Sequence, residues 1–563
     1  MSFHLSKFGA SGVVLSAVLL VPAATPPTPA SIRLTDITAQ TGVDFVHTDG
    51  GSGQRYIVET VSAGLATFDY DGDGRIDLFF LNGAPLRGTT SNTAPTCKLY
   101  RNEGGMRFRD VTQRAGLNVT CYGLGVAVGD YDNDGHPDLY LNNFGTNRLF
   151  RNRGDGTFAD VTGSAGVADA PHVGAGTCFL DMDGDGDLDL FVGHYVDFTY
   201  ETHRIVRFNG HPAYVGPLDY PTTSNRLYRN NGDGTFSDFS GESGIADHKG
   251  AAMGMVAADF DQDGDTDLFV GNDETGNFLF VNDGQGRFKE SGLMAGVAYN
   301  FHGRAHGTMG VECGDLDNDG RLDFYATSFQ RESPIFFRNL GNGMFDDATA
   351  QTGASAGMFS LVTWGCGVVD LDNDGHRDVF VAAGHLQDNV ERYDTTTAYF
   401  QTNQVMRNLG QGRFANVTSQ AGSGLAISLS SRGAAFDDLD NDGDLDVVVL
   451  NARREPTILR NDSPPDNRWL QVRLRGTRCN RDGVGSRVTV VAGELRLVDE
   501  VHSGRSYQSH FGTRLHFGLG KRDRVDRIEV RWLGGGTNVV ENPGIDRLMT
   551  IVEGAGLEAG RDR

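Results

Sequence analysis

Apolar residues along this chain fall in short runs ended by Gly, Asn and Asp, while apolar spacing of three and four residues is scarce. The pattern predicts a protein made almost entirely of β-strands. Two phrases recur in alternation. The first, D-x-D-x-D-G-x-x-D, stands between two apolar runs, as in "GLGVAVG" before Asp130 and "LYLNN" after Asp138. The second, of the form "LYRNEGGMRFRDVT" from Leu99, reads as a hairpin whose Asn/Gly turn needs positive backbone angles. Two strands around the first phrase and two in the second make a four-stranded unit.

The first phrase occurs seven times, with starts 51 to 78 residues apart. Four-stranded units repeated in this way predict a seven-bladed β-propeller with a small C-terminal β domain. The ends of the repeat region agree. "RLTDIT" (Arg33 to Thr38) is the second half of the hairpin phrase, and "ILRN" (Ile458 to Asn461) is the first half. The N-terminal strand is therefore expected to complete the last blade and close the ring, leaving few sheet edges open. We place the propeller at residues 32–461, a "SPPD" linker from Ser463 to Asp466, and a domain of alternating apolar and polar positions at 463–554. Residues 1–23 read as a signal peptide, with Lys7 before a short apolar run and Val21, Pro22 and Ala23 at its end. Export follows, to the periplasm or the extracellular space, with no membrane span after signal removal.

A net charge of −25 argues against a nucleic-acid partner, because phosphate binding needs clustered Lys and Arg. Disorder is the other acidic reading, but 34 phenylalanines and 39% hydrophobic residues supply a core. The acid needs a cation. The candidate ligands are Asp69, Asp71, Asp73 and Asp77; Asp130, Asp132, Asp134 and Asp138; Asp181, Asp183, Asp185 and Asp189; Asp259, Asp261, Asp263 and Asp267; Asp315, Asp317, Asp319 and Asp323; Asp370, Asp372, Asp374 and Asp378; and Asp438, Asp440, Asp442 and Asp446. Alternating carboxylates point to one side of a tight turn, the Gly at position six permits the bend, and the Asp at position nine completes an oxygen cage. Such a set suits Ca²⁺, which takes 6 to 8 oxygens. A pair of carboxylates at 4 Å costs ~4 kcal/mol even at an effective dielectric of ~20, so an ion is expected in each loop. Seven Ca²⁺ would bring the formal charge from −25 to −11.

These phrases resemble the FG-GAP or VCBS repeats of calcium-binding propellers. The segments "NRWLQVRLRG" from Asn467, "NRDGVGSRVTV" from Asn480, "LHFGLG" from Leu515 and "VDRIEVRW" from Val525 resemble the ASPIC/UnbV domain. The combination is similar to the cartilage acidic protein family, which implies an exported calcium-binding protein with binding or adhesion roles. Leu533 and Gly534 depart from the Pro and Ser usual there, and Cys479 replaces a common Ser.

The sequence leaves the ligand open. If each inner strand begins just before its Asp loop, His172, Lys249, His306, Trp364 and Arg432 approach one mouth of the central channel, and the insertion 194–226 covers it. A glycan or protein ligand at that mouth is one reading. The alternative is an enzyme acting on a carbohydrate or secondary metabolite, with a transition metal on His194, His302, His306 and His385. Structural hydrogen bonding by these histidines is the third. Among the six cysteines, Cys97 and Cys121 are the favoured pair, while Cys178, Cys313 and Cys366 read as buried free thiols.

Overall fold

The computed structural model describes residues 32–62, 64–90, 95–169 and 171–558; the expected signal peptide and its cleavage site lie outside them. Each Asp loop joins two antiparallel strands, and the hairpin phrase adds two more. In blade 1 these are Leu65–Phe68, Asp77–Phe80, Lys98–Asn102 and Phe108–Asp110. Seven such four-stranded units follow one another, with blades 2 and 3 merged into one larger sheet where His172 and Val173 pair with Gly145 and Phe144. The seventh is completed by Leu34–Asp36, whose Leu34 lies opposite Asn461 and whose Asp36 lies opposite Leu459. The expected closure is thus present.

The first strands of the blades touch in chain order. They are Leu65–Phe68, Gly123–Gly129, His172–Leu180, Ala252–Ala258, Val311–Gly314, Thr363–Val369 and Ser431–Asp437, and the last touches the first. A ring of sheets around one axis results. Apolar side chains fill the spaces between neighbouring sheets, as where Phe269 stacks on Phe324 at 4.2 Å between blades 4 and 5. Several hairpins lead into a one-turn helix stopped by a left-handed Gly, such as Thr112–Ala115 before Gly116 (φ 76°).

The C-terminal segment forms two four-stranded sheets, one containing the parallel pair Arg468–Arg475 and Leu548–Val552. It is not a separate bead on a linker. It sits on the face of the ring that carries the Asp loops, with Asp482 accepting from Asp130 N–H (2.8 Å), Gln471 donating to Asp438 (2.9 Å) and Arg531 paired with Asp259 (2.7 Å). Between its strands Leu495–Glu500 and Leu515–Gly520, residues 501–514 leave the domain and enter the propeller channel. Cys97 and Cys121 are free thiols with sulfurs 3.7 Å apart, and Cys178, Cys313 and Cys366 are buried free thiols.

Candidate metal loops and the filled channel

Within each loop the backbone bends around its own carboxylates. In blade 2 the two oxygens of Asp130 accept from Asp134 N–H (2.9 Å) and Gly135 N–H (2.6 Å), and blades 1, 5, 6 and 7 repeat the pattern. Position four adopts the left-handed conformation, at φ 58° for Asn133 and 71° for Gly72, which suits Asn and Gly. The aspartate at position nine is buried in every loop, and in blade 2 its oxygens accept from Tyr131 N–H and Asn152 N–H.

One oxygen in most loops is left over. The buried Oδ1 atoms of Asp71, Asp132, Asp183, Asp317 and Asp440 have no hydrogen-bond partner, nor has Oδ1 of Asp259 in blade 4. A buried anionic oxygen without a donor is costly unless a cation meets it. In blades 1 to 3 the carboxylates at positions one, three and nine each bring an oxygen within 4.8 Å of the others; in blade 4 Asp259, Asp261 and Asp263 do so. This all-oxygen donor set fits Ca²⁺. Burial, reinforced by the neighbouring carboxylates, raises Asp130 to about 8 and Asp181, Asp315 and Asp438 to about 7. An arginine of the hairpin phrase covers the outer side of several loops: Arg101 meets Asp71 and Asp73 (2.6 and 2.7 Å), and Arg407 meets Asp372 and Asp374 (2.8 and 3.1 Å). Blade 4 has Val281 there, and Arg531 of the C-terminal domain reaches its Asp259 instead.

The sequence reading missed the Asn of the hairpin phrase. Asn152 donates backbone N–H to Asp138 (2.6 Å), and its amide donates to Pro137 C=O (3.1 Å) and to Tyr70 C=O of the preceding blade (2.8 Å). Asn102, Asn230, Asn282, Asn339, Asn408 and Asn461 do the same, with Asn102 reaching Leu439 of blade 7 and so closing the circle. Its presence in all seven units was the available signal. Position four makes a second stitch in the opposite sense: Asn133, Gln262, Asn318, Asn373 and Asn441 each donate to a carbonyl in the next loop. Gly72 and Gly184 have no side chain for it, and the C-terminal domain lines the spaces beside them, with Arg473 and Arg481 at the first and Trp532 to Gly536 at the second.

The channel is filled from both ends, so the mouth expected from sequence does not form a ligand pocket. From the loop end, His502 Nδ1 donates to Ala257 C=O (2.8 Å), Ser506 Oγ donates to Cys366 C=O (2.7 Å), and His510 C=O accepts from Thr67 N–H (3.0 Å). Arg505 forms a fork on Glu312, at 2.7 to 3.0 Å, with both groups almost fully buried. Burial holds His502 and His510 far below the usual imidazole range, at about 3, so both are neutral. Gly64 and Gly254 lie so close to the carbonyls of Gln508 and Ser506 that a Cβ would collide with them. From the other end the 194–226 insertion lies across the ring, as expected: Tyr214 exchanges hydrogen bonds with Gln387 (2.9 Å each) and donates to Glu59 (2.8 Å).

The eight mouth residues therefore separate. Trp364 and Arg432 are buried beneath Tyr507, with the indole 5.0 Å from its ring and the guanidinium 4.1 Å over the indole. His306 bonds to Ser333 C=O (3.0 Å), His385 accepts from Gln387 N–H (2.9 Å), and His302 is exposed on a turn. The proposed four-histidine centre is not assembled. Among the five histidines only His172 and His194 meet, stacked at 4.3 Å, with exposed Lys249 opposite Ser224 on a neighbouring strand.

The ring, its aspartate loops and the hairpin Asn stitches define a propeller built of FG-GAP-like repeats. The FG-GAP-like repeat model matches residues 69–141, 130–192, 213–270, 259–326, 315–381 and 370–449, and the ASPIC and UnbV model matches 476–558. The chain belongs to the FG-GAP repeat proteins, in a family like cartilage acidic protein 1. Human cartilage acidic protein 1 is 25% identical over 53% of this chain and 43% of its own length; the Xenopus tropicalis protein is 25% identical over 84% of this chain and 61% of its own. The chain thus spans about half the length of these relatives. Solved structures with partial likeness include the Agrocybe aegerita lectin that recognises terminal N-acetylglucosamine (TM-score 0.35, 19% identity, 63% of this chain and 79% of that one). YCF48 bound to D1 peptide is another (TM-score 0.39, 9% identity, 79% of this chain and 99% of that one). No helix among the described residues is long and apolar enough to cross a membrane.

Proposed function

We propose that this chain is an exported, calcium-stabilised propeller that acts as a binding or adhesion module for a protein or glycan. The single observation that carries the calcium reading is the repeated buried Oδ1 without a donor, ringed by two further carboxylates. Calcium at these loops is structural, stabilising the fold by binding only its native state. Binding then falls to the outer surfaces. The insertion is the favoured face, because it is unique in the ring and exposes Ile205, Phe208 and Leu218. A filled channel argues against an enzyme working at its mouth.

The test is elemental analysis of the purified chain together with thermal unfolding in calcium and in EGTA. Several Ca²⁺ per chain and a large calcium-restorable stabilisation are expected. A calcium-free chain with an unchanged midpoint in EGTA would refute the reading.

A further inference from the structure

We propose that Asp169, His172 and His194 form a site for one divalent transition-metal ion, separate from the aspartate loops. His172 opens the first strand of blade 3 and His194 ends the second, at the opposite end of that strand from loop residue Asp189. Five residue steps at ~3.3 Å put about 16 Å between the two positions. One donor atom from each of Asp169, His172 and His194 lies within 4.8 Å of the other two.

The second observation is the orientation of His194. Its Nδ1 lies 2.8 Å from the backbone carbonyl of Ser224, which can only accept, so Nδ1 carries the proton. In the neutral ring Nε2 is then a bare lone pair, yet it faces Oδ2 of Asp169 at 2.8 Å. Two acceptors in that contact require a positive charge between or upon them. A metal also satisfies this: in a two-His, one-carboxylate facial set on a six-coordinate ion, two cis bonds of ~2.1 Å hold their donor atoms ~3.0 Å apart. The His–carbonyl bond is also the outer contact that fixes the tautomer of metal-bound imidazoles. Arg226 approaches the other carboxylate oxygen, at 3.8 Å from Oδ1. Two imidazoles and a carboxylate select a first-row ion such as Zn²⁺, Fe²⁺ or Co²⁺ over Ca²⁺, which prefers oxygen. His172 is only half-buried, which leaves a side open to water. The ion would tie the entry of blade 3, its second strand and, through Ser224, the insertion into one unit.

The experiment uses the untagged mature chain, stripped with chelator, returned to excess Ca²⁺ and titrated with Co²⁺. One equivalent of Co²⁺ with visible d–d absorption, displaced by Zn²⁺, is expected. His172→Ala and Asp169→Asn should each weaken it by more than the ~10–100-fold that losing an outer hydrogen bond costs, with thermal midpoints in calcium close to wild type. Absence of Co²⁺ binding in calcium would overturn the site and leave His194 and Asp169 as a hydrogen-bonded pair. Equal binding by both variants would overturn it too, by placing the ion elsewhere.

Discussion

The two ends of the propeller channel are closed by different chemistry. At the loop end, seven copies of one acidic turn surround a polar plug that hydrogen-bonds to the inner strands. At the other end, one insertion closes the ring with side chains that occur once: Tyr195, Val196, Phe198, Val215 and Tyr220 pack with Trp364 and Tyr507 in one apolar cluster. The loop end derives its order from repetition and charge, and the insertion end from apolar burial, which is non-directional. The first should respond to calcium, and the second should not.

The sharpest separation comes from removing calcium. A site filled at 100 times its Kd contributes ~2.7 kcal/mol, so emptying several loops should lower the thermal midpoint by about ten degrees or more. The pH dependence of the EGTA-treated chain has a definite sign. Asp130 ionises at about 8 in the fold, and Asp181 at about 7, against ~4 when unfolded, so the folded form binds more protons between these values. The metal-free chain should therefore gain stability as pH falls from 8 towards 5. With calcium bound, protons compete with the ion and the trend reverses. Denaturation midpoints across that range, with and without EGTA, read both slopes.

Next in size is the plug. Arg505→Ala leaves the buried Glu312 carboxylate unpaired and should cost ~3–5 kcal/mol in urea unfolding, while the double change Arg505→Met, Glu312→Leu should recover much of it. The stitches come third. Asn152→Ala removes two amide hydrogen bonds, one to the buried Tyr70 carbonyl and one to the half-buried Pro137 carbonyl, and should cost ~1–3 kcal/mol. Asn133→Ala breaks the opposite stitch, at a more exposed loop edge, and should cost less, ~0.5–1.5 kcal/mol. Smallest on stability is Phe208→Ser on the insertion, within ~0.5 kcal/mol, because this side chain is 49% exposed. If the insertion is the binding face, the same change should abolish capture of the partner while leaving the EGTA response intact.

The comparison also explains what could be read in advance. Repeats disclose themselves: the Asp loops, the hairpins and the closing Leu34–Asp36 strand all follow from phrases that recur, each dictated by its own local turn. The plug has no such signature. Its segment "VHSGRSYQSHFG" lacks strand alternation, and its bonds go largely to backbone carbonyls, whose sequence identity is irrelevant. The neutral Asn at position four was visible, but its role depends on a loop in the next blade, more than fifty residues away for Asn133 and Gly186. Histidines drew attention by type, yet burial lowers the pKa of His306 and His385 and makes them ordinary hydrogen-bonding groups. Asp169 lay in a connection that no repeat pointed to.

The plug sets an order of events. Tyr507 reaches Val61 and His510 reaches Leu65, so the first blade cannot be finished until residues 501–514 have been made. During synthesis the N-terminal blades must wait, with inner-strand donors and acceptors unpaired along the axis. A chain cut short before residue 501 would present an open tube in place of a solid ring. Arrival of residues 501–514 is therefore the event that turns the tube into a closed ring, read by the fold itself.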